Sequence, residues 1–163
     1  MPPKSRIRII MLVILVAAFI FYYRYEMTPN PKFDILQMTL DNFKHEYLFE
    51  KSPIIFSDKI VNPLDLLNTV FRFLYFSKRF RTIDRTKDIE QGQEQPPHTT
   101  KSKYTILSSD TNTTLTLMHP SQERFAQPVD ILLGEHQIII IPRKWKYIVE
   151  KGKLVNVIEL GWI

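Results

Sequence analysis

The chain has 163 residues, enough for one domain and an appendage, and 44% of them are apolar with 12% aromatic, so it can bury a core. Its 22 Lys and Arg against 17 Asp and Glu give a net charge of +5, but Lys4, Arg6 and Arg8 supply three of those positives ahead of the first apolar run. The remaining excess is small and scattered, which argues against nucleic acid as a partner, and the lack of cysteine excludes disulfides, thiolate metal sites and cysteine nucleophiles.

Residues 1–8 form a basic tail, and 9–23 follow as an uninterrupted apolar run, IIMLVILVAAFIFYY, closed by Arg24. As a helix this run covers about 22 Å, against a hydrocarbon core of about 30 Å. Arg8 and Arg24 can snorkel to the two interfaces, and Tyr22 and Tyr23 suit the headgroup level, so 9–23 reads as a transmembrane signal anchor. Two other readings compete with it. A cleaved signal peptide would use Val16 and Ala18 as its small residues but would leave bulky side chains from Phe19 onward at the mature N-terminus; a buried core helix is the third reading. Three basic residues and no acid precede the span, whereas Arg24 is soon balanced by Glu26. The positive-inside rule therefore places the N-terminus in the cytoplasm and the domain on the lumenal or outer side. Asn112-Thr113-Thr114, a sequon for N-glycosylation, is accessible in that orientation.

Residues 24–32 read as a linker stiffened by Thr28-Pro29-Asn30-Pro31, and 33–163 as one β-rich domain. In 33–49, Ile35, Met38, Phe43 and Leu48 make a weak helical stripe, while 35–40 equally suits a strand. Residues 52–56 read as a short strand. The clearest helix signal is Asn62-Pro63-Leu64-Asp65: Asn is a favoured N-cap, Pro suits the first helical position, and Asp65 adds negative charge to the first turn. The helix is expected to reach about Phe76, with Leu67, Val70, Phe71 and Leu74 on one stripe and Leu66 and Phe73 beside it, a wide apolar face that should lie on a sheet.

Residues 77–81 are basic and read as the solvated end of that helix. Lys78, Arg79 and Arg81 are also candidate contacts for phosphate or lipid headgroups. The polar stretch 82–103, with Gly92, Pro96 and Pro97, reads as a mobile loop. Residues 104–107 and 113–118 read as strands joined by the turn-prone 110–112, with Leu115 and Leu117 inward.

The last third is densest in β signals, and 129–133, 137–141, 145–150 and 154–160 read as a meander of four strands. Gly134-Glu135 suggests a type II′ hairpin between the first two, and Lys151-Gly152-Lys153 a loop between the last two. Ile138, Ile139, Ile140 and Ile141 run without alternation, which implies a strand covered on both faces, and Pro142 ends it. In the last strand Leu154, Asn156, Ile158 and Leu160 share one side and Val155, Val157 and Glu159 the other. Neither side is cleanly polar, which favours a sandwich or barrel interior.

His45, His98, His119 and His136 stand in no H-x-D or H-E-x-x-H spacing, with His98 in the expected loop. No G-x-S-x-G elbow or phosphate-cradling glycine loop occurs.

The segment Gly134-Glu-His-Gln-Ile-Ile-Ile-Ile-Pro142, followed by Trp145-Lys-Tyr-Ile-Val149, resembles the closing strands of cupin-like domains related to the JmjC oxygenases, and Ser52-Pro-Ile-Ile-Phe56 is similar to a strand those domains carry ahead of their barrel. The strings NPLDLLNTVF, KYTIL, His119-Pro120 and IIIIPRKW also resemble small membrane-anchored proteins of large DNA viruses. The oxygenase resemblance implies a facial triad of two imidazoles and one carboxylate on Fe(II). Tyr147 stands where the distal histidine is expected, and Ser108-Ser109-Asp110 where the H-x-D pair is expected, so the resemblance implies a lost metal centre and no cofactor. The expected fold is mainly β (α+β): a transmembrane helix, then a small cupin-like sandwich or barrel with one packed helix at about 62–76. The expected function is that of a membrane-anchored, non-enzymatic binding or structural protein, a pseudoenzyme of a viral membrane or capsid. Its expected partners are the bilayer and another protein or a second copy. The alternative is an oxygenase using Fe(II) and 2-oxoglutarate, with Asp110, His119 and His136 as metal ligands.

Overall fold

Apolar side chains on every side of the N-terminal run produce one long helix, α1 (Pro3–Met27), which ends at the Thr28-Pro29 step. Its segment Ile7–Met27 has 21 residues, and its most apolar 18-residue window has a mean hydropathy of 2.1. At about 31 Å it is long and apolar enough to cross a membrane. It outruns the 15-residue apolar stretch at both ends and takes residues 24–27 from the expected linker. Its large side chains from Ile7 to Tyr23 are 47% to 75% exposed, so no part of the domain covers them. The computed structural model describes residues 3–72, 76–91, 96–121 and 127–162; Phe73, Leu74 and Gly92 lie outside that set.

The remaining chain builds two sheets. The larger contains β1 (Leu36–Met38), β2 (Ile54–Phe56), β3 (Phe76–Asp84), β5 (Tyr104–Ser108), β8 (Ile138–Pro142) and β10 (Leu154–Trp162) in the order β1-β2-β8-β5-β10-β3. The smaller contains β4 (His98–Thr99), β6 (Thr113–Met118), β7 (Val129–Leu133) and β9 (Lys146–Val149) in the order β4-β9-β6-β7. All pairings are antiparallel except β1 with β2.

Burial explains which strands read as continuous apolar runs. The larger sheet is a middle layer. One face meets the smaller sheet through Ile139, Ile141, Leu107, Val155 and Val157; the other, carrying Ile138, Ile140, Phe56, Ile106, Ile158 and Leu160, is covered by α2 (Pro63–Val70) and the segment around Leu48. The isoleucine run is therefore buried on both faces, each residue at most 1% exposed, as its lack of alternation implied. The smaller sheet has one covered face, and β6 and β9 alternate strictly between buried and half-buried residues.

The four C-terminal strands are present at the expected places, but they are not a meander. β7 and β9 lie in the smaller sheet and β8 and β10 in the larger, so no two consecutive strands of this set are paired. Accordingly Gly134-Glu135 does not close a type II′ hairpin. The turn has Gln137 N–H donating to Gly134 O at 3.0 Å, the left-handed residue is His136 with φ 58°, and the chain crosses there from one sheet to the other. Residues 151–153 make a second crossing, where Gly152 takes φ 76°. Alternation between sheets suits strands with two apolar sides, because a local hairpin would leave one side of β8 against solvent.

Asn62 caps α2 as its sequence implies, its Oδ1 accepting from Leu64 N–H at 3.1 Å, and Leu66, Leu67 and Val70 are buried. The helix stops at Val70, short of the expected Phe76, because β3 pairs with β10 over nine positions from Phe76 to Asp84. That ladder overrides a helical pattern that continues in the sequence. Residues 77–81 are thus strand, not a solvated helix end. The expected mobile loop 82–103 holds the end of β3, α3 (Thr86–Gln91) and β4. Of the two readings of 33–49, the strand prevails in β1, followed by 3₁₀ turns at Leu40–Asn42 and His45–Glu50.

Candidate functional site

β3 and β4 are edge strands of opposite sheets, and between them a groove of about 760 Å³ opens into the sandwich. Ile83 belongs to the core between the sheets, which fixes the phase of β3: Arg81 and Arg79 share its inward face, as Glu159 shares that of Val155 and Val157 on β10. Arg81 Nη2 lies 3.0 Å from Glu159 Oε1 and also donates to Tyr147 Oη at 3.1 Å. Tyr147 is fully buried on β9 and stands opposite His98 of β4, with ring centroids 5.3 Å apart. Burial pushes the Tyr147 phenol above its ordinary pKa, and the Arg81 guanidinium partly opposes that rise. Thr105 stands opposite Glu159 in the β5–β10 ladder, and its buried hydroxyl has no hydrogen-bond partner among the described residues. Lys78, Arg79 and Lys101 complete a predominantly cationic lining.

At the same end of the sandwich the last turn of α1 is fastened to the domain. Lys103 Nζ lies 3.0 Å from Glu26 Oε1, and Lys144 Nζ donates to Met27 O at 2.6 Å. Lys51 Nζ donates to the carbonyls of Tyr25 and Thr28, and Tyr25 Oη donates to Phe49 O at 3.1 Å. Lysines on the terminal carbonyls favour the negative end of the helix dipole. Burial holds the Lys51 ammonium below its ordinary pKa, with Lys103 and Lys144 adding to the effect and Glu26 opposing it.

The sequence candidates fall in different places. Arg79 and Arg81 meet in the groove, with Lys78 on its rim. Arg8, Tyr22, Tyr23 and Arg24 are exposed along α1. Asn112 is exposed in the turn after β5, at the end of the sandwich away from α1, with its Oδ1 accepting from Glu135 N–H at 2.9 Å. The proposed metal ligands do not converge. Asp110 Oδ1 lies 3.7 Å from His136 Nδ1 before β6, whereas His119 follows that strand, about 20 Å away along it. His119 is buried and fully occupied: its Nε2 bonds Asn30 O at 2.9 Å, and its Nδ1 accepts from Ser121 N–H at 3.0 Å. It fastens the segment after α1 instead of facing a site.

The groove does not fit an Fe(II) centre either. It offers the His98 imidazole and the Glu159 carboxylate, which is engaged by Arg81, and among the described residues no three His, Asp or Glu side chains gather as a metal ligand set. Tyr147 lies behind the groove, its Oη bonded to Arg81, but Ser108-Ser109-Asp110 turns away at the opposite end of β5, and the imidazole beside Tyr147 is His98. Sequence reading missed His98 and Glu159. The signal available for Glu159 was its position on the Val155-Val157 face; for His98, whose strand has two residues, there was none. No protein-family model matches the chain, and no curated protein shows significant similarity to it.

Proposed function

We propose that this is a single-pass membrane protein whose β domain acts by binding or as a structural component, held rigidly at the membrane surface. The observation that carries the reading is the junction: a 21-residue apolar segment with exposed side chains whose last turn is fixed to the domain through Lys51, Lys103 and Lys144. Side chains apolar on every side and left uncovered suit lipid.

The strand order of β3 to β10, β8-β5-β10-β3 facing β4-β9-β6-β7, supports a jelly-roll, cupin-like assignment. Jelly rolls also build capsids, in keeping with a role in a viral membrane or capsid. The Arg81–Glu159 ion pair in the groove and the tilted His98–Tyr147 ring contact beside it favour a pseudoenzyme scaffold over an oxygenase. The basic N-terminal tail favours a cytoplasmic N-terminus and an outward domain.

Alkaline extraction of membranes containing the full chain tests the anchor: the protein should stay in the pellet, and deletion of residues 9–23 should release it. Release of the full chain would sink the reading. In a eukaryotic host, loss of a glycan from Asn112→Gln would support the outward domain, and labelling of the domain by a reagent confined to the cytoplasm would reverse it.

A further inference from the structure

The groove opens at the end of the sandwich where α1 is fastened. Lys103, which pairs with Glu26, is two residues from Lys101 on the groove's rim. Lys144, whose ammonium holds Met27 O, donates its N–H to Thr100 O at 2.8 Å. With successive Cα atoms about 3.8 Å apart, the rim lies within about 8 Å of the junction along the backbone. That is headgroup depth when residues 7–27 span a bilayer.

Arg79, Arg81 and Lys101 line the groove together with one carboxylate, Glu159, which Arg81 already engages, and Lys78 stands at the rim. Lys78, Arg79 and Lys101 are exposed and make no hydrogen bond or ion pair among the described residues. A phosphate offers several strong acceptor oxygens to such a donor set, and Arg and Lys are its usual partners.

We propose that the groove binds the phosphate of an anionic phospholipid headgroup from the leaflet that holds the C-terminal end of α1. The proposal rests on α1 being a membrane anchor, and it gives the cationic face of β3 a ligand. Arg81 is held in place by Glu159 and Tyr147, while Arg79 and Lys101, with Lys78 at the rim, act as the mobile donors.

The test uses the full chain in nanodiscs of phosphatidylcholine with and without phosphatidylserine. The readout is amide hydrogen exchange of residues 77–84 and 96–102. Phosphatidylserine should slow exchange in both segments, and Arg79→Gln with Lys101→Gln should weaken its apparent affinity at least tenfold, as expected for loss of charge-assisted contacts. Both residues are exposed, so the double variant should fold.

Equal protection in the double variant, or none with phosphatidylserine, overturns the proposal. Equal protection by inorganic phosphate in pure phosphatidylcholine assigns the site to free phosphate and overturns the lipid source. Failure to assemble into nanodiscs would instead count against the anchor.

Discussion

Lys103 meets Glu26 across the junction of helix and sandwich, with side-chain exposures of only 10% and 15%. Seventy-seven residues separate them in the chain, and the pair joins the last turn of the apolar helix to the start of β5. Removing one partner strands the other in a poorly hydrated site. Lys103→Met alone should cost about 3 kcal/mol of the docked state. Glu26→Gln combined with Lys103→Met should cost less than the sum of the single changes. Thermal unfolding of the four proteins in detergent checks this, and strict additivity would mean that the contact is not a coupled pair.

Ile139 and Ile140 are neighbours that serve different cores, one between the sheets and one under α2. Each truncation to Ala should cost about 2–5 kcal/mol. Leu132, 69% exposed on β7, should cost no more than about 0.5 kcal/mol. Denaturant unfolding gives all three values, and a small loss at either isoleucine would mean that its face of the larger sheet is uncovered.

Asn62→Ala removes the side-chain acceptor at the start of α2 and should cost about 1 kcal/mol, whereas Asn62→Asp should keep most of it. A shift in denaturant midpoint for the first and not the second identifies the cap. Equal shifts would point to another role for Asn62.

Tyr104 and Tyr147 both have phenols pushed above the ordinary tyrosine pKa, chiefly by burial. A folded-state pKa raised above the unfolded value of about 10 gives stability that is complete below pH 10 and is lost as pH rises through the folded values. Phenolate absorbance of these two tyrosines should therefore lag behind that of exposed ones. Because Arg81 draws the Tyr147 pKa down, Arg81→Gln should move its titration further up. A downward move would show that Arg81 does not act on the phenol.

Much of the local structure was legible where one physical signal dominated. The isoleucine run, the alternation of residues 113–118, the Asn62-Pro63 cap and the apolar N-terminal helix each depend on burial or hydrogen bonding within a few residues. The site was legible only in part. Arg79 and Arg81 stood out as a basic cluster, but the reading put them on a helix end, because nothing local announces that a nine-residue ladder with β10 awaits them.

The sequence by itself determined the membrane-compatible helix, the places of most strands and which of them are covered on both faces. These follow from the apolar pattern, which the chain carries whatever its topology. Tertiary structure alone decided that consecutive C-terminal strands alternate between sheets, that α2 yields to β3 after Val70, and that His98, Arg81, Tyr147 and Glu159 meet. Those outcomes come from pairings between residues far apart in the chain, such as Arg81 with Glu159, 78 positions away. Long-range ladders and ion pairs leave no periodic trace in the segments they join. Only the closing of the two sheets sets them in place.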